Sequence, residues 1–277
     1  MNYICLNISL KEEFQEIFIA ELFDMDFEGF EQEGDVLTAS IKASELDDYM
    51  REEIEDMLTA FGDGAYIINE EIVEPQNWNE LWEKSIKPQE IGKFYVRPTW
   101  APPVEDPEKI ELVIDPKMAF GTGYHATTRL ILEWLPDVIN TDDVILDAGT
   151  GTGILGIAAL KLGAKSAFGF DIDEWSEENA IENIALNHIN NFEVKLGSTD
   201  VIPKGAEYDV ILANINRNAL VELIPEFLKY LKKGGKLLLS GLLETDEDFI
   251  LNHDSVNELN YVNTKQQQEW IAILFEA

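Results

Sequence analysis

Apolar and polar residues along the first 75 positions change between strand spacing and helix spacing. A period of two predicts strands, and apolar residues every three or four positions predict helices. Strand patterns cover residues 2–8, 27–30, 36–41 and 65–73, and helix patterns cover residues 11–23 and 44–61. Ser44 stands where the second helix needs its N-cap. The order β-α-β-β-α-β predicts a small ferredoxin-like α+β domain over residues 1–75.

Residues 76–95 interrupt this pattern, and we interpret them as a linker. Trp78 and Trp82 lie four positions apart in a short helical stretch over residues 78–85, so both fall on one helix face. We expect that face to pack against a domain, and a partner contact is the alternative.

Strands and helices alternate regularly through most of residues 96–277. Strand patterns cover residues 144–146, 166–171, 192–196, 208–213 and 236–240, and helix patterns cover residues 127–135, 155–162, 174–189 and 218–231. Two further strands over residues 93–100 and 109–114 precede this series. The alternation predicts an α/β domain, doubly wound around a mostly parallel seven-stranded sheet. The final strands, residues 259–263 and 270–275, have no long helix between them and predict a hairpin at the sheet edge.

The charge balance narrows the classes of partner. The chain of 277 residues has 20 Lys+Arg against 54 Asp+Glu, a net charge of −34 and a pI of about 4.2. Such a surface repels phosphates, which argues against stable contact with nucleic acid or an anionic membrane. A hydrophobic content of 45% is enough for a core, so disorder is not expected. A basic partner would be attracted by the negative field.

The composition also bears on compartment and metals. A single cysteine, Cys5, forms no internal disulfide, and three histidines with one cysteine make no metal-ligand cluster. The first residues lack the features of a signal peptide, and no apolar run reaches the length of a membrane span. We therefore expect a reduced, soluble, cytoplasmic protein. We also expect it to act as a monomer.

A glycine-rich loop directly follows the strand at residues 144–146. The segment D-A-G-T-G-T-G-I-L-G, residues 147–156, places Gly149 and Gly151 where the backbone turns tightly and comes close to a ligand. Asp171 ends the next strand, 18 residues after Gly153, where a carboxylate accepts both hydroxyls of a ribose. Together these features predict a nucleoside ligand.

Two nucleoside ligands fit this loop. The pattern G-x-G-x-x-G is satisfied by Gly151, Gly153 and Gly156. This pattern is typical of nicotinamide dinucleotide binding, so a nicotinamide-dependent oxidoreductase is one possible function. Asp147 favours S-adenosylmethionine, because a carboxylate before the glycines suits a cationic amine or sulfonium better than a pyrophosphate. Asn214 ends another strand, at the sheet edge where α/β proteins bind ligands.

The motifs together resemble one family. D-P-K-M-A-F-G-T-G-Y-H-A-T-T at residues 115–128, the glycine loop, D-I-D at residues 171–173 and L-A-N-I-N at residues 212–216 are similar to the PrmA family, the methyltransferases of large-subunit ribosomal protein eleven. The resemblance extends over nearly the whole chain. It implies a class I S-adenosylmethionine-dependent fold over residues 96–277 and a domain over residues 1–75 that recognises the ribosomal protein. It also implies methylation of lysine side chains and of the N-terminal amine.

The resemblance further implies roles for single residues. The family's cofactor contacts fall on Thr128, Gly149, Asp171 and Asn214, and residues 120–125 close over the methionine part. Asn214 is also a candidate for orienting the amine that accepts the methyl group, whereas His125 is expected to position the loop more than to act as a base. Two departures from the family pattern are Lys117, where glycine is usual, and the last asparagine of N-I-N. The alternatives are a methyltransferase of another protein or small molecule, a non-catalytic adaptor with a vestigial cofactor pocket, and the oxidoreductase.

Overall fold

The structure, a computed structural model, describes residues 2–62, 64–73, 86–117 and 119–277. The chain divides into two compact units, Met1–Trp78 and Asn79–Ala277. Each unit has its own hydrophobic core.

The first unit is a four-stranded antiparallel sheet covered by two helices. In chain order its elements are β1 (Tyr3–Ser9), α1 (Glu12–Asp24), β2 (Gly29–Glu33), β3 (Val36–Lys42), α2 (Asp48–Thr59) and β4 (Tyr66–Val73). The strand order β2-β3-β1-β4 is that of a ferredoxin-like domain, as the sequence predicts. Every second residue of β1 is buried against apolar side chains of both helices, because alternate strand residues face the same side.

The start of α2 differs from the prediction that Ser44 caps it. The N-cap is Asp47, whose side chain accepts a hydrogen bond from the Met50 N–H at 2.8 Å. The chain first turns after β3, where the Glu45 N–H donates to the Lys42 carbonyl at 2.9 Å, and Leu46 is then buried in the core. Because of this turn the helix begins a few residues later than predicted. Its N-cap is Asp47, a residue type that also caps helices well.

The second unit contains the predicted seven-stranded sheet. Its strands are β8 (Val144–Ala148), β9 (Ser166–Asp171), β10 (Phe192–Leu196), β11 (Tyr208–Asn214), β12 (Leu231–Leu243), β13 (Asn260–Gln267) and β14 (Trp270–Glu276). The order is β10-β9-β8-β11-β12-β14-β13, parallel as far as β12. The terminal hairpin adds antiparallel β14 and places β13 at the edge, which confirms that prediction.

Helices cover both faces of this sheet. They are α3 (Ala126–Val138), α4 (Ile154–Lys161), α5 (Glu174–Leu186), α6 (Arg217–Phe227) and α7 (Glu247–Leu251). Ile145 of β8 belongs to the core formed with α3, α4 and α5, whereas its neighbour Leu146 belongs to the core formed with α6 and α7. Because both faces of this strand are buried, its residues 144–146 form a continuous apolar run, as in other doubly wound sheets.

A smaller sheet precedes α3. It pairs β5 (Gln89–Ile91) with β6 (Phe94–Arg97) and β6 with β7 (Ile110–Val113). The last two strands match the predicted patterns in shortened form, and β5 was not predicted. The predicted helix over residues 78–85, with Trp78 and Trp82, lies outside the described residues.

Within residues 2–62, 64–73, 86–117 and 119–277 there is no helix long and apolar enough to cross a membrane. The same part of the chain contains no group of three His, Cys, Asp or Glu side chains placed to hold a metal ion.

Candidate active site

The glycine-rich loop leaves β8 at the carboxyl edge of the large sheet. Gly149 and Gly151 have φ angles of +69° and +52°, a backbone region that residues with a side chain rarely adopt. A Cβ atom on Gly151 would lie 2.2 Å from the carbonyl oxygen of Phe120, and one on Gly149 would lie 2.3 Å from the side chain of Ile215. The loop is therefore held between two other segments of the site, and only glycine fits at either position.

Asp171 ends the neighbouring strand, β9, beside this loop. One carboxylate oxygen accepts the Gly151 N–H at 2.9 Å, and the other accepts the Asp173 N–H at 3.1 Å. A carboxylate offers about four acceptor positions, so two remain for a ligand. The backbone bonds fix the orientation of the carboxylate before any ligand arrives.

Asn214 ends β11 on the other side of β8. Its side-chain Nδ2 donates to Thr128 Oγ1 at 3.3 Å. Thr128 is fully buried in the first turn of α3. The pairing therefore fixes the amide of Asn214 and leaves its oxygen as the group that can accept a hydrogen bond from a ligand.

His125 caps the N-terminus of α3. Its Nδ1 accepts the Thr127 N–H at 3.4 Å and lies 2.8 Å from Thr127 Oγ1. Its ring is in edge contact with Phe120 and with Trp270, at centroid distances of 5.3 Å and 4.6 Å. While Nδ1 accepts the helix N–H, the neutral ring carries its proton on Nε2, so it has no free lone pair for base catalysis. This arrangement supports a positioning role for His125.

Asp147 lies beneath the glycine-rich loop and is fully buried. Its Oδ2 accepts the Thr150 hydroxyl at 2.8 Å and the Gly156 N–H at 3.0 Å, while its Oδ1 is buried without a hydrogen-bond partner. Burial raises the pKa of this carboxyl to about 7. The interpretation that Asp147 faces a cationic ligand is thus not supported, and its contacts are those of a residue that shapes the loop.

A cavity of about 430 Å³ opens at this edge of the sheet. Four of the five predicted cofactor residues line it: Gly149, Gly151, Asp171 and Asn214. The fifth predicted residue, Thr128, lies behind Asn214 and does not reach the cavity surface. Apolar walls are supplied chiefly by Phe120, Ile172, Ile215 and Leu223. A flat, partly apolar ligand with hydroxyl groups matches this combination of walls and acceptors.

Comparison with known proteins identifies the family of this chain. The family model described as Ribosomal protein L11 methyltransferase (PrmA) matches residues 7–277. The chain belongs to this family. It is 35% identical over 282 residues to the Ribosomal protein L11 methyltransferase of Chlorobaculum parvum, covering 99% of this chain and 96% of that protein. It is 37% identical over 265 residues to the protein of that name from Porphyromonas gingivalis, covering 94% and 90%.

A solved structure agrees with this assignment. The crystal structure of ribosomal protein L11 methylase from Lactobacillus delbrueckii subsp. bulgaricus superposes with a TM-score of 0.64 at 29% identity, covering 69% of this chain and 98% of that one. The fold class predicted from the sequence, a class I methyltransferase, is confirmed. Membership of a methyltransferase family also favours methyl transfer over the alternative interpretation of the glycine motif, a nicotinamide-dependent oxidoreductase.

Both departures from the methyltransferase family pattern have a local explanation. Lys117 adopts a φ of +37°, in the region that favours glycine, and forms an ion pair with Glu182 of α5. Asn216 caps α6, because its side-chain oxygen accepts the Ala219 N–H at 3.0 Å. Neither substitution changes the glycine-rich loop.

Sequence reasoning missed some residues of the site. Ile172 and Ser198 line the cavity, and Trp270 contacts His125. The sequence could have predicted Ile172, because this residue directly follows Asp171, the predicted ribose-binding carboxylate. Trp270 could not be found this way, since it reaches the site only through the pairing of the terminal hairpin with β12.

Proposed function

We propose that this protein transfers methyl groups from S-adenosylmethionine to amines of ribosomal protein L11. The observation that carries the proposal is the cavity at the carboxyl edge of the sheet, where Gly149, Gly151, Asp171 and Asn214 converge in a chain of the L11 methyltransferase family. The proposed targets are lysine side chains and the N-terminal amine.

The residues of the cavity fit an adenosine-containing methyl donor. Asp171 has two acceptor positions left for ribose hydroxyls, and Ile172 and Leu223 provide apolar surface for a flat base. The absence of side chains at Gly149 and Gly151 lets Ile215 and Phe120, which also line the cavity, lie directly against the loop. When bound, S-adenosylmethionine supplies a methyl group on a positively charged sulfur.

The acceptor amine must be neutral to attack. A lysine of ordinary pKa is neutral in only about 0.04% of molecules at pH 7, whereas an N-terminal amine is neutral far more often. In this proposal the oxygen of Asn214, whose amide is held by the bond from Nδ2 to Thr128, accepts an N–H of the amine and so orients its lone pair. Positioning of this kind supplies a large part of the rate enhancement in two-substrate reactions, about 7 to 11 kcal/mol in favourable cases.

The distribution of charge supports a role for residues 1–75 in recognising the substrate. Residues 1–78 contain 3 Lys or Arg against 21 Asp or Glu, so their net charge is 3 − 21 = −18. Ribosomal proteins are rich in lysine, and a strongly negative domain would attract one over several ångströms in solution. We therefore assign substrate recognition to residues 1–75, with residues 76–95 as linker and residues 96–277 as catalytic domain. The cytoplasmic location and the monomeric state predicted from the sequence are part of this proposal.

Intact-mass spectrometry tests the reaction directly. Unmodified ribosomal protein L11 is incubated with the enzyme and S-adenosylmethionine, and peptide mapping then locates each methyl group. Mass increments of one methyl group, on lysine residues and the N-terminal amine, are expected. The matched control is Asp171→Ala, which should slow the increments strongly at a cofactor concentration near the dissociation constant of the wild type.

Two results would contradict the proposal. Binding of S-adenosylmethionine without any increment on ribosomal protein L11 would point to another protein or a small molecule as substrate. Absence of S-adenosylmethionine binding by the wild type would remove the proposed cofactor.

A further inference from the structure

Three asparagines on one face of α5 and just beyond its end are buried. Asn179, Asn183 and Asn187 follow each other at intervals of four residues, and their exposed fractions are 1%, 0% and 6%. Burying an amide side chain is unfavourable unless its hydrogen bonds are made. We therefore expect each of these buried amides to have hydrogen-bond partners, and those partners explain why α5 has asparagine at these positions.

The asparagines bond to the backbone at the end of β7 much as a neighbouring strand would. Asn187 accepts the Val113 N–H at 3.0 Å and donates to the Val113 carbonyl at 2.7 Å. Asn183 accepts the Asp115 N–H at 2.9 Å and also donates to the Asp115 carbonyl at 3.3 Å. Asn179 donates to that same carbonyl at 2.9 Å. In the described part of the chain β7 pairs on one side with β6, so these bonds satisfy backbone groups on its other side.

Asn183 makes one contact that Asn187 does not make. Its Nδ2 also donates to the carbonyl of Thr152 in the glycine-rich loop, at 3.0 Å. Thr152 in turn donates from its N–H to the Phe120 carbonyl at 2.8 Å and from its hydroxyl to the Gly121 carbonyl at 2.7 Å. Asn183 thereby ties Asp115, where the motif at residues 115–128 begins, to the loop against which Phe120 and Gly121 are docked.

Phe120 of the motif at residues 115–128 and Gly151 of the glycine-rich loop both line the cavity. The Phe120 carbonyl lies so close to Gly151 that a single Cβ would be only 2.2 Å away. A displacement of either loop would change the cavity, and errors of about 1 Å in placement cost enzymes large factors in rate.

We propose that Asn183 is a positioning residue for the cofactor site, setting the motif at residues 115–128 against the glycine-rich loop without touching the ligand itself. This inference rests on the proposed function, because it takes the cavity to be the S-adenosylmethionine site. Asn187, with the same residue type and similar burial, holds only the end of β7 and a carbonyl of its own helix.

The test compares Asn183→Ala with Asn187→Ala in the full chain. Both variants should lose thermal stability to a similar degree, because each loses bonds to the same buried segment. The dissociation constant for S-adenosylmethionine, measured by calorimetry, should rise about tenfold or more in Asn183→Ala and stay within about twofold of wild type in Asn187→Ala. Hydrogen exchange at residues 119–125 should accelerate in Asn183→Ala alone.

A milder variant covers the case in which Asn183→Ala does not fold. Thr152→Val keeps the shape of the side chain and removes only the hydroxyl bond to Gly121, and it should raise the dissociation constant several-fold. Equal effects of the two asparagine variants on affinity and on hydrogen exchange, or wild-type behaviour of Thr152→Val, would overturn the inference. A wild type that fails to bind S-adenosylmethionine would contradict the proposed function instead, while hydrogen exchange at residues 119–125 would still test the tie between the loops.

Discussion

Replacing Asp147 by asparagine should stabilise the protein, and the gain should grow as the pH rises. The carboxyl is fully buried, one of its oxygens has no hydrogen-bond partner, and desolvation raises its pKa from 3.8 to about 7. The folded state therefore holds a proton that the unfolded state has already lost between these two pH values. Under these conditions stability falls as the pH rises.

The magnitude follows from the displacement of the pKa. A change of one pKa unit corresponds to about 1.36 kcal/mol, so the full cost of ionising Asp147 is about 4 kcal/mol, reached above pH 7. At pH 5 the free-energy cost corresponds to only a little over one pKa unit, because pH 5 lies that far above the unfolded-state pKa of 3.8. Asparagine has nearly the same shape and carries no charge, so its oxygen can still accept the bonds from Thr150 and Gly156. The stability difference between Asp147→Asn and wild type should thus increase by about 3 kcal/mol between pH 5 and pH 8.5.

Urea unfolding followed by tryptophan fluorescence measures this difference at each pH, with the ligand-free protein. Subtracting the wild-type curve removes the contribution of the many other carboxylates, because both proteins share them. A difference that stays constant over this range would refute the reasoning, since it would mean that Asp147 has the same charge in the folded and unfolded states.

Three further predictions concern the cavity and the surface. Asp171→Ala should raise the dissociation constant for S-adenosylmethionine at least about tenfold in calorimetry, because charged hydrogen bonds are worth about 1.5 to 3 kcal/mol each; unchanged affinity would exclude a ribose contact. Gly151→Ala should abolish measurable cofactor binding because its Cβ would collide with the Phe120 carbonyl, whereas Gly205→Ala, at a similar φ of +78° with no atom within 4 Å, should lose only stability. The KM for ribosomal protein L11 should rise steeply with added salt in a steady-state assay, while a KM that is independent of salt would contradict electrostatic attraction to the acidic surface.

Local patterns in the sequence were enough to predict the class of fold and most of its strands and helices, with β5 and α7 as exceptions. The apolar runs at residues 144–146 of β8 and 210–213 of β11 predict a sheet covered on both faces, because residues on either side of such a run must be buried. The spacing from the glycines to Asp171 also predicts the ligand class, since loop, helix and next strand are consecutive in the chain. Ser44 shows the limit of this reasoning, because several nearby residues are able to cap a helix and the turn after β3 selects Asp47.

The tertiary structure decided which side chains reach the cavity. Thr128 and Asp147 carry suitable chemistry in sequence motifs, yet the fold buries both behind the cavity surface. Trp270 and Asn183 stand far along the chain from residues 115–128, and only sheet pairing and helix packing bring them to His125 and to Asp115. A sequence pattern records neighbours along the chain and their faces, whereas the depth of a side chain and its distant partners depend on how the packed elements meet.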